Sequence, residues 1–271
     1  MKYLIALCFF AWSQVWFSQN KNEIYVIGNI HQNVPNYNPA ILFGILDQIK
    51  PDIILHEVDS KGMNEYEAMA ETDLKENEIT ASTQYLKKYP KTIRAPFDFE
   101  GRNQYRKDKG MVPTDNLAVQ LIDSLYKAKS LDATDSKIYE RFLSTTEELK
   151  KVAELAPKNF NNAENDQLCE KRQNEQYHEL TKITDKRPEF AKRFVVKPNG
   201  EKISYRDGFK LMSGFWDLRN QTMASNIYKA AAQHPGKKIV VLTGFLHRYY
   251  IIKQLTKLND LKYVIKEFYD L

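Results

Sequence analysis

Apolar residues in this chain gather into short runs, and the runs near its two ends share one form. EIYVIG (23–28), DIILHE (52–57) and KIVVLTG (238–244) are continuous rather than alternating, the pattern of strands covered by helices on both faces. KTIRAPFDF (91–99) and a weaker KYVIKEF near the C-terminus are further strand candidates. Between the first two runs, NPAILFGILDQIKP offers Asn38 as an N-cap, Pro39 at the first helical position and Pro51 past the end. Strand, helix, strand at this spacing makes a parallel crossover unit. The pattern predicts an α/β fold with a mostly parallel sheet flanked by helices.

Residues from about Asn103 to Met212 have a different character. They are rich in Lys, Glu, Asn and Gln, carry helical periodicity in NLAVQLIDSLYKA and IYERFLSTTEELKKVAEL, and contain no convincing strand. They predict a long helical insertion between the third and fourth strands of a single domain spanning 20–271, with a lid as its natural use.

With 271 residues, 42% of them hydrophobic and 28% charged, the chain can bury a sizeable core. Residues 1–19 place Lys2 before an apolar stretch from Tyr3 to Trp12 and a short polar segment. That is the pattern of an export signal, too short to span a bilayer. A retained N-terminal anchor is the alternative. The expectation is a periplasmic or secreted protein with no transmembrane span in the exported chain. Cys8 falls inside this leader, which leaves Cys169 alone and no internal disulfide to form. The 40 basic and 35 acidic residues are interspersed, so no nucleic-acid footprint is present.

Polar residues at the strand ends carry the candidate chemistry. His31 follows the first strand, Glu57 closes the second, Asp98 and Glu100 close the third, and His247 follows the fourth. In a parallel sheet the crevice beyond the carboxyl ends of the strands is where ligands bind. Each residue alone has a plainer reading as a turn residue or helix cap; their recurrence at successive strand ends favours a site. Gly28 and Gly244 each precede a histidine by three positions, where backbone must approach a ligand closely, and with Glu100 they are candidate substrate-binding residues. His56 is expected on the opposite face of its strand from Glu57, and His178 and His234 on charged helical surface. In GFWDLRNQTMASNIYKAAAQHP, the residues Trp216, Met223, Ile227 and Ala230 form an apolar stripe that contains Arg219. A charge so placed needs carboxylates or a substrate anion. Asn220, one position on, is expected to turn away.

These residue types support two routes. His31, Glu57 and His247 are candidate ligands for a divalent metal such as manganese, cobalt or zinc, which would acidify a bound water. Without metal, a histidine held by a carboxylate serves as general base, with Arg219 stabilising an oxyanion. Both lead to hydrolysis. There is no H-E-x-x-H, G-x-S-x-G, P-loop or G-x-G-x-x-G.

IGNIH with PDIILHE, then FDFEGRN, and finally RNQTMASNIYKAAAQHPGKKIVVLTGFLH resemble the TraB/GumN/TIKI family within the erythromycin esterase/ChaN-like superfamily. The match falls on Gly28, His31, Glu57, Arg219, Gly244 and His247 and covers roughly 23–100 and 212–270; Asp98 and Glu100 fit the pattern less closely. The resemblance implies an α/β domain built on an inverted or repeated half. It also implies hydrolytic relatives, among them metal-dependent proteases and esterases, that differ in whether a metal is needed. The resulting expectation is an exported hydrolase that cleaves an amide or ester bond in a small molecule or peptide. The alternative is a non-catalytic binding protein for haem, metal or peptide.

Overall fold

The computed structural model describes residues 21–258, 260 and 262–271; the leader expected at 1–19 lies outside them. The chain begins with β1 (Asn22–Asn29), α1 (Pro39–Ile49), β2 (Ile53–His56), α2 (Ser60–Ala68), α3 (Asn77–Lys88) and β3 (Ile93–Pro96). Next come α4 (Arg102–Asp108), α5 (Met111–Lys127), α6 (Ala133–Ala153), α7 (Pro157–Phe160), α8 (Ala163–Asn174) and a π-helical turn, Glu175–Glu179. After α9 (Leu180–Lys186) and α10 (Pro188–Ala191) follow β4 (Phe194–Val196) and β5 (Lys202–Ser204). The chain closes with α11 (Tyr205–Gln233), β6 (Lys238–Gly244), α12 (Phe245–Leu258) and β7 (Tyr263–Lys266).

Five strands form one sheet in the order β3-β2-β6-β1-β7, every pair parallel. Tyr25, Ile27, Ile54, Val240 and Leu242 pack on Leu42, Leu46 and Ile49 of α1 and Tyr85 of α3. Alternate residues Ile24, Val26, Ile53, Leu55, Ile239 and Val241 pack on Met223 and Ile227 of α11 and on Ile251 and Leu255 of α12. Both faces are therefore dry, which is why the strand sequences are continuous apolar runs. Helix α1 starts as its sequence requires: the Asn38 side chain accepts from the Ile41 amide at 3.0 Å, with Pro39 at the first position. Because β6 lies between β1 and β2, the two G-x-x-H segments are neighbours, with Gly28 opposite Thr243 and Asn29 opposite Gly244.

The long excursion between β3 and β6 is helical, with one correction. Phe194–Val196 and Lys202–Ser204 pair as an antiparallel hairpin, Val195 opposite Ile203. Strands of three residues carry too little periodicity to register as strands, although Pro198-Asn199-Gly200 is a turn signal between them. The boundary near Met212 is not a break either. Helix α11 runs unbroken for 29 residues; Phe209 packs in the core of the insertion, while Met223 and Ile227 pack on the sheet. Cys169 is buried in α8, its thiol pushed up to about 12 by burial, and serves as packing.

Two contacts fasten the insertion to the sheet. β7 pairs with β1 only as far as Tyr25, so on the side away from β6 Gly28 has no strand beside it. Asn161, from the insertion, takes that place: its Oδ1 accepts from the Gly28 amide at 2.6 Å and its Nδ2 donates to the Gly28 carbonyl at 3.0 Å. Arg248, fully buried, donates to the Val26 carbonyl at 3.0 Å and pairs with Asp166 of α8 and Glu267 beyond β7.

Gly28 is thus required by packing. A Cβ there would lie 2.8 Å from Phe245 Cα and 3.2 Å from Asn161 Oδ1, and neither is free to move. Gly28→Ala is expected to destabilise the fold by about 1–3 kcal/mol, measured by urea unfolding; an unchanged midpoint would show that the seam yields.

Candidate functional site

Arg219 projects from α11 to the carboxyl ends of the strands and is 8% exposed. Its Nε and Nη2 donate to the two oxygens of Asp98 at 2.8 Å each, Nη2 also donates to Glu57 Oε1 at 2.5 Å, and Nη1 donates to His247 Nε2 at 2.9 Å. Four of its roughly five N–H donors are therefore used within the protein. Arg102, at the start of α4, adds a second guanidinium 2.8 Å from Asp98 Oδ2 and 3.9 Å from Glu57 Oε1. Glu57 Oε2 accepts from the Thr243 hydroxyl at 2.6 Å and the Gly244 amide at 2.7 Å. Burial pushes the Glu57 carboxyl upward, but His247, Arg219 and the Thr243 hydroxyl outweigh it and hold it well below the usual carboxylate range. Two carboxylates meet two guanidiniums, so the buried cluster is charge-balanced.

His247 stands in the first turn of α12. Its Nδ1 lies 2.7 Å from Asn220 Oδ1, an acceptor, which assigns the proton to Nδ1 and leaves Nε2 to accept from Arg219. Burial drives its pKa down to about 4, with Glu57 opposing and Arg219 adding to the effect, so the ring is neutral near pH 7. Trp216 stacks on the imidazole at 4.3 Å between centroids and on Tyr177 of the insertion at 4.9 Å. Asn220 therefore does not turn away; it is fully buried beside His247. The signal was there, because 216, 220, 223 and 227 step by four, three and four along the α11 stripe.

His31 lies in the loop after β1 with a half-exposed ring. Its Nδ1 is bonded to Glu78 Oε1 of α3, and this contact, against burial, raises its pKa to about 9. Nothing in the sequence reading pointed to Glu78, whose loop partner is decided by how α3 packs. A Cβ on Gly244 would lie 3.3 Å from His31 Nε2, 3.6 Å from Glu57 Oε2 and 3.8 Å from His247 Cδ2. The missing side chain leaves open the volume where these three residues meet.

The donors fit a metal differently from the expectation. Among His31, Glu57 and His247, both Glu57 oxygens and His247 Nε2 are engaged by Arg219, Thr243 and Gly244; the guanidinium occupies the cation's place. His31, Glu76 and Glu78 instead offer ligand atoms within 4.8 Å of one another, and the buried Glu78 Oε2 has no hydrogen-bond partner among the described residues.

A cavity of about 280 Å³ opens over this site. Asn29, His31, Glu57, Gly244 and His247 line one side, and Arg172, Gln173 and Tyr177 of the insertion line the other. Asp98 lies behind Arg219 and is 1% exposed. Gly28 faces Asn161 and Phe245, and Glu100 accepts from the Ser60 hydroxyl at 2.6 Å at the start of α2, so neither borders the cavity. His56 is buried with neither ring nitrogen hydrogen-bonded among the described residues. His178 is exposed and His234 only partly buried. Compared with known proteins, the chain matches no family model, no curated protein and no solved structure.

Two outcomes follow for stability. Burial lowers His56 to about 3 and His247 to about 4, against an ordinary value of 6.5, so below pH 6.5 the unfolded chain binds the extra protons. Stability is therefore expected to fall as pH drops from 6.5 to 4, by about 1.4 kcal/mol per pH unit for each of them. Chemical denaturation of His56→Leu should show a slope shallower by one such increment, and an identical slope would refute a neutral buried His56. Arg219→Met leaves Glu57 and Asp98 buried without their main cation, at a cost of about 3–5 kcal/mol. That loss should shrink as pH falls and Glu57 protonates; a loss independent of pH would contradict the ionic account.

Proposed function

We propose that this protein hydrolyses an amide or ester bond, with His31 moving the proton. The observation that carries this is the placement of His31: Glu78 holds Nδ1, and Nε2 comes within 3.3 Å of the Cβ position that Gly244 leaves empty, beside Glu57 and His247. Once deprotonated, above a pKa raised to about 9, this carboxylate-held imidazole can take a proton from an attacking water at Nε2 and return it to the leaving amine or alcohol, so turnover is expected to rise with pH toward 9. His247, fixed by Asn220 and Arg219, forms a neutral wall of the site, and Arg219 holds the carboxylates rather than the substrate. The motif resemblance to hydrolytic relatives supports the same reading, and the leader at 1–19 adds export to it.

A second reading keeps hydrolysis and adds a cation on His31, Glu76 and Glu78, which would supply an acidified water there. It is favoured by the proximity of those three side chains and by the unpartnered Glu78 oxygen.

The purified protein should be tried on nitrophenyl esters and aminoacyl nitroanilides, with and without manganese, cobalt or zinc. His31→Ala is expected to reduce turnover by about 100-fold or more. Turnover that survives both His31→Ala and His247→Ala would overturn the assignment. Calorimetric metal binding abolished by Glu78→Gln would select the second reading, and its absence the first. Tight ligand retention with no turnover on any substrate would mark a binding protein instead.

A further inference from the structure

Arg172, on α8, is a charged group of the cavity that the proposed proton transfer leaves unused. It borders two cavities at once: the site cavity, and a second one of about 220 Å³ whose wall includes Leu149, Ala153, Phe245 and Leu246. Phe245 and Leu246 also line both, so the two cavities are neighbours that meet at Arg172, Phe245 and Leu246. Its walls are mostly aliphatic and aromatic.

The guanidinium is half-buried and has no ion pair among the described residues. Its Nη1 donates to the side-chain oxygens of Gln173 and Gln176, its Nε reaches the Thr146 hydroxyl at 3.4 Å, and its carbon lies 5.0 Å from the centre of the Phe142 ring. Those partners are neutral. Nη2 has no acceptor among the described residues, and burial lowers the pKa of the group. Glu175, the carboxylate that bears on it, makes no ion pair with it. A partly buried guanidinium whose nearby carboxylate, Glu175, acts on it without pairing still has a charge to offer a ligand's acid group. An arginine offers a carboxylate a charge-assisted, directional bond.

We propose that Arg172 is a carboxylate-binding residue. It holds the acid group of a substrate whose apolar chain enters the second cavity and whose scissile bond lies at His31. Small acylated or peptidic acids with one aliphatic or aromatic side chain have this chemistry. The substrate class rests on the hydrolase reading, whereas the carboxylate subsite itself is read by binding alone.

The test is calorimetric titration of the protein with hexanoate, which has no bond to hydrolyse, and with hexanamide and hexyl phosphate, whose amide and phosphate ester are followed for cleavage as controls. Hexanoate is expected to bind at least about tenfold more tightly than hexanamide, a preference lost in Arg172→Gln and partly kept in Arg172→Lys. Ala153→Leu, which narrows the second cavity, should weaken hexanoate and leave acetate unchanged. Equal binding of hexanoate and hexanamide would overturn the proposal in the wild-type protein, whatever Arg172 contributes to folding. So would a preference that survives Arg172→Gln, or hexyl phosphate binding more tightly than hexanoate. Arg172-dependent hexanoate binding with no turnover on any ester or amide would sink the hydrolase reading alone. Turnover with no preference for hexanoate would sink this inference alone.

Discussion

A buried guanidinium needs compensating charge from several directions, and in this fold Arg219 draws that charge from separate parts of the chain. Glu57 comes from the end of β2, Asp98 from the turn after β3, and His247 from the first turn of α12. None of these would be stable where it is without the cation between them. Two carboxylates in a dry site repel each other and pay desolvation, and a lone arginine there fares no better. Together with Arg102 they reach a balance of two positive and two negative groups. The balance fixes the rotamer of Glu57, which in turn receives the Thr243 hydroxyl and the Gly244 amide. It also fixes the tautomer of His247.

That cluster forms the rear wall of the cavity, and the insertion forms the front. The arrangement depends on the seam between the insertion and the sheet. Asn161 extends the hydrogen bonding of β1 where β7 stops, and Arg248 ties α8 to the strand beside it. Because α11 belongs to both cores, the position of Arg219 over the sheet and that of Trp216 against Tyr177 are set by one rigid element. Arg172 then meets the cavity from the side opposite His31 and Glu57. His31 Nε2 and Arg172 Nη2, neither with a hydrogen-bond partner among the described residues, come from the frame and from the insertion respectively.

Much of this was legible in the order of residues. Continuous apolar runs gave the parallel sheet, because a strand covered on both faces has no polar side to show. Asn38, Pro39 and Pro51 marked α1 by local backbone chemistry. Glu57, Arg219 and His247 were legible as one cluster because strand ends converge on a single edge and a charge inside an apolar stripe demands partners. Asn220 was misjudged, although its spacing from Trp216 and Met223 places it on the buried face. Glu78, Asn161 and Arg172 carried no such mark. Each is a polar residue on or beside a helix in a polar stretch, indistinguishable from solvent-facing neighbours until the helix has a packing partner.

What the sequence determined by itself is therefore what depends on neighbours in the chain: the strands and helices, their caps, and the edge at which functional residues gather. Tertiary structure alone decided the insertion of β6 between β1 and β2, which sets Gly28 against Thr243 and Asn29 against Gly244. It also decided that Glu78 holds His31 while Asn220 holds His247. These pairings join residues far apart in sequence, and their energies come from burial and charge compensation, which exist only once the layers have closed.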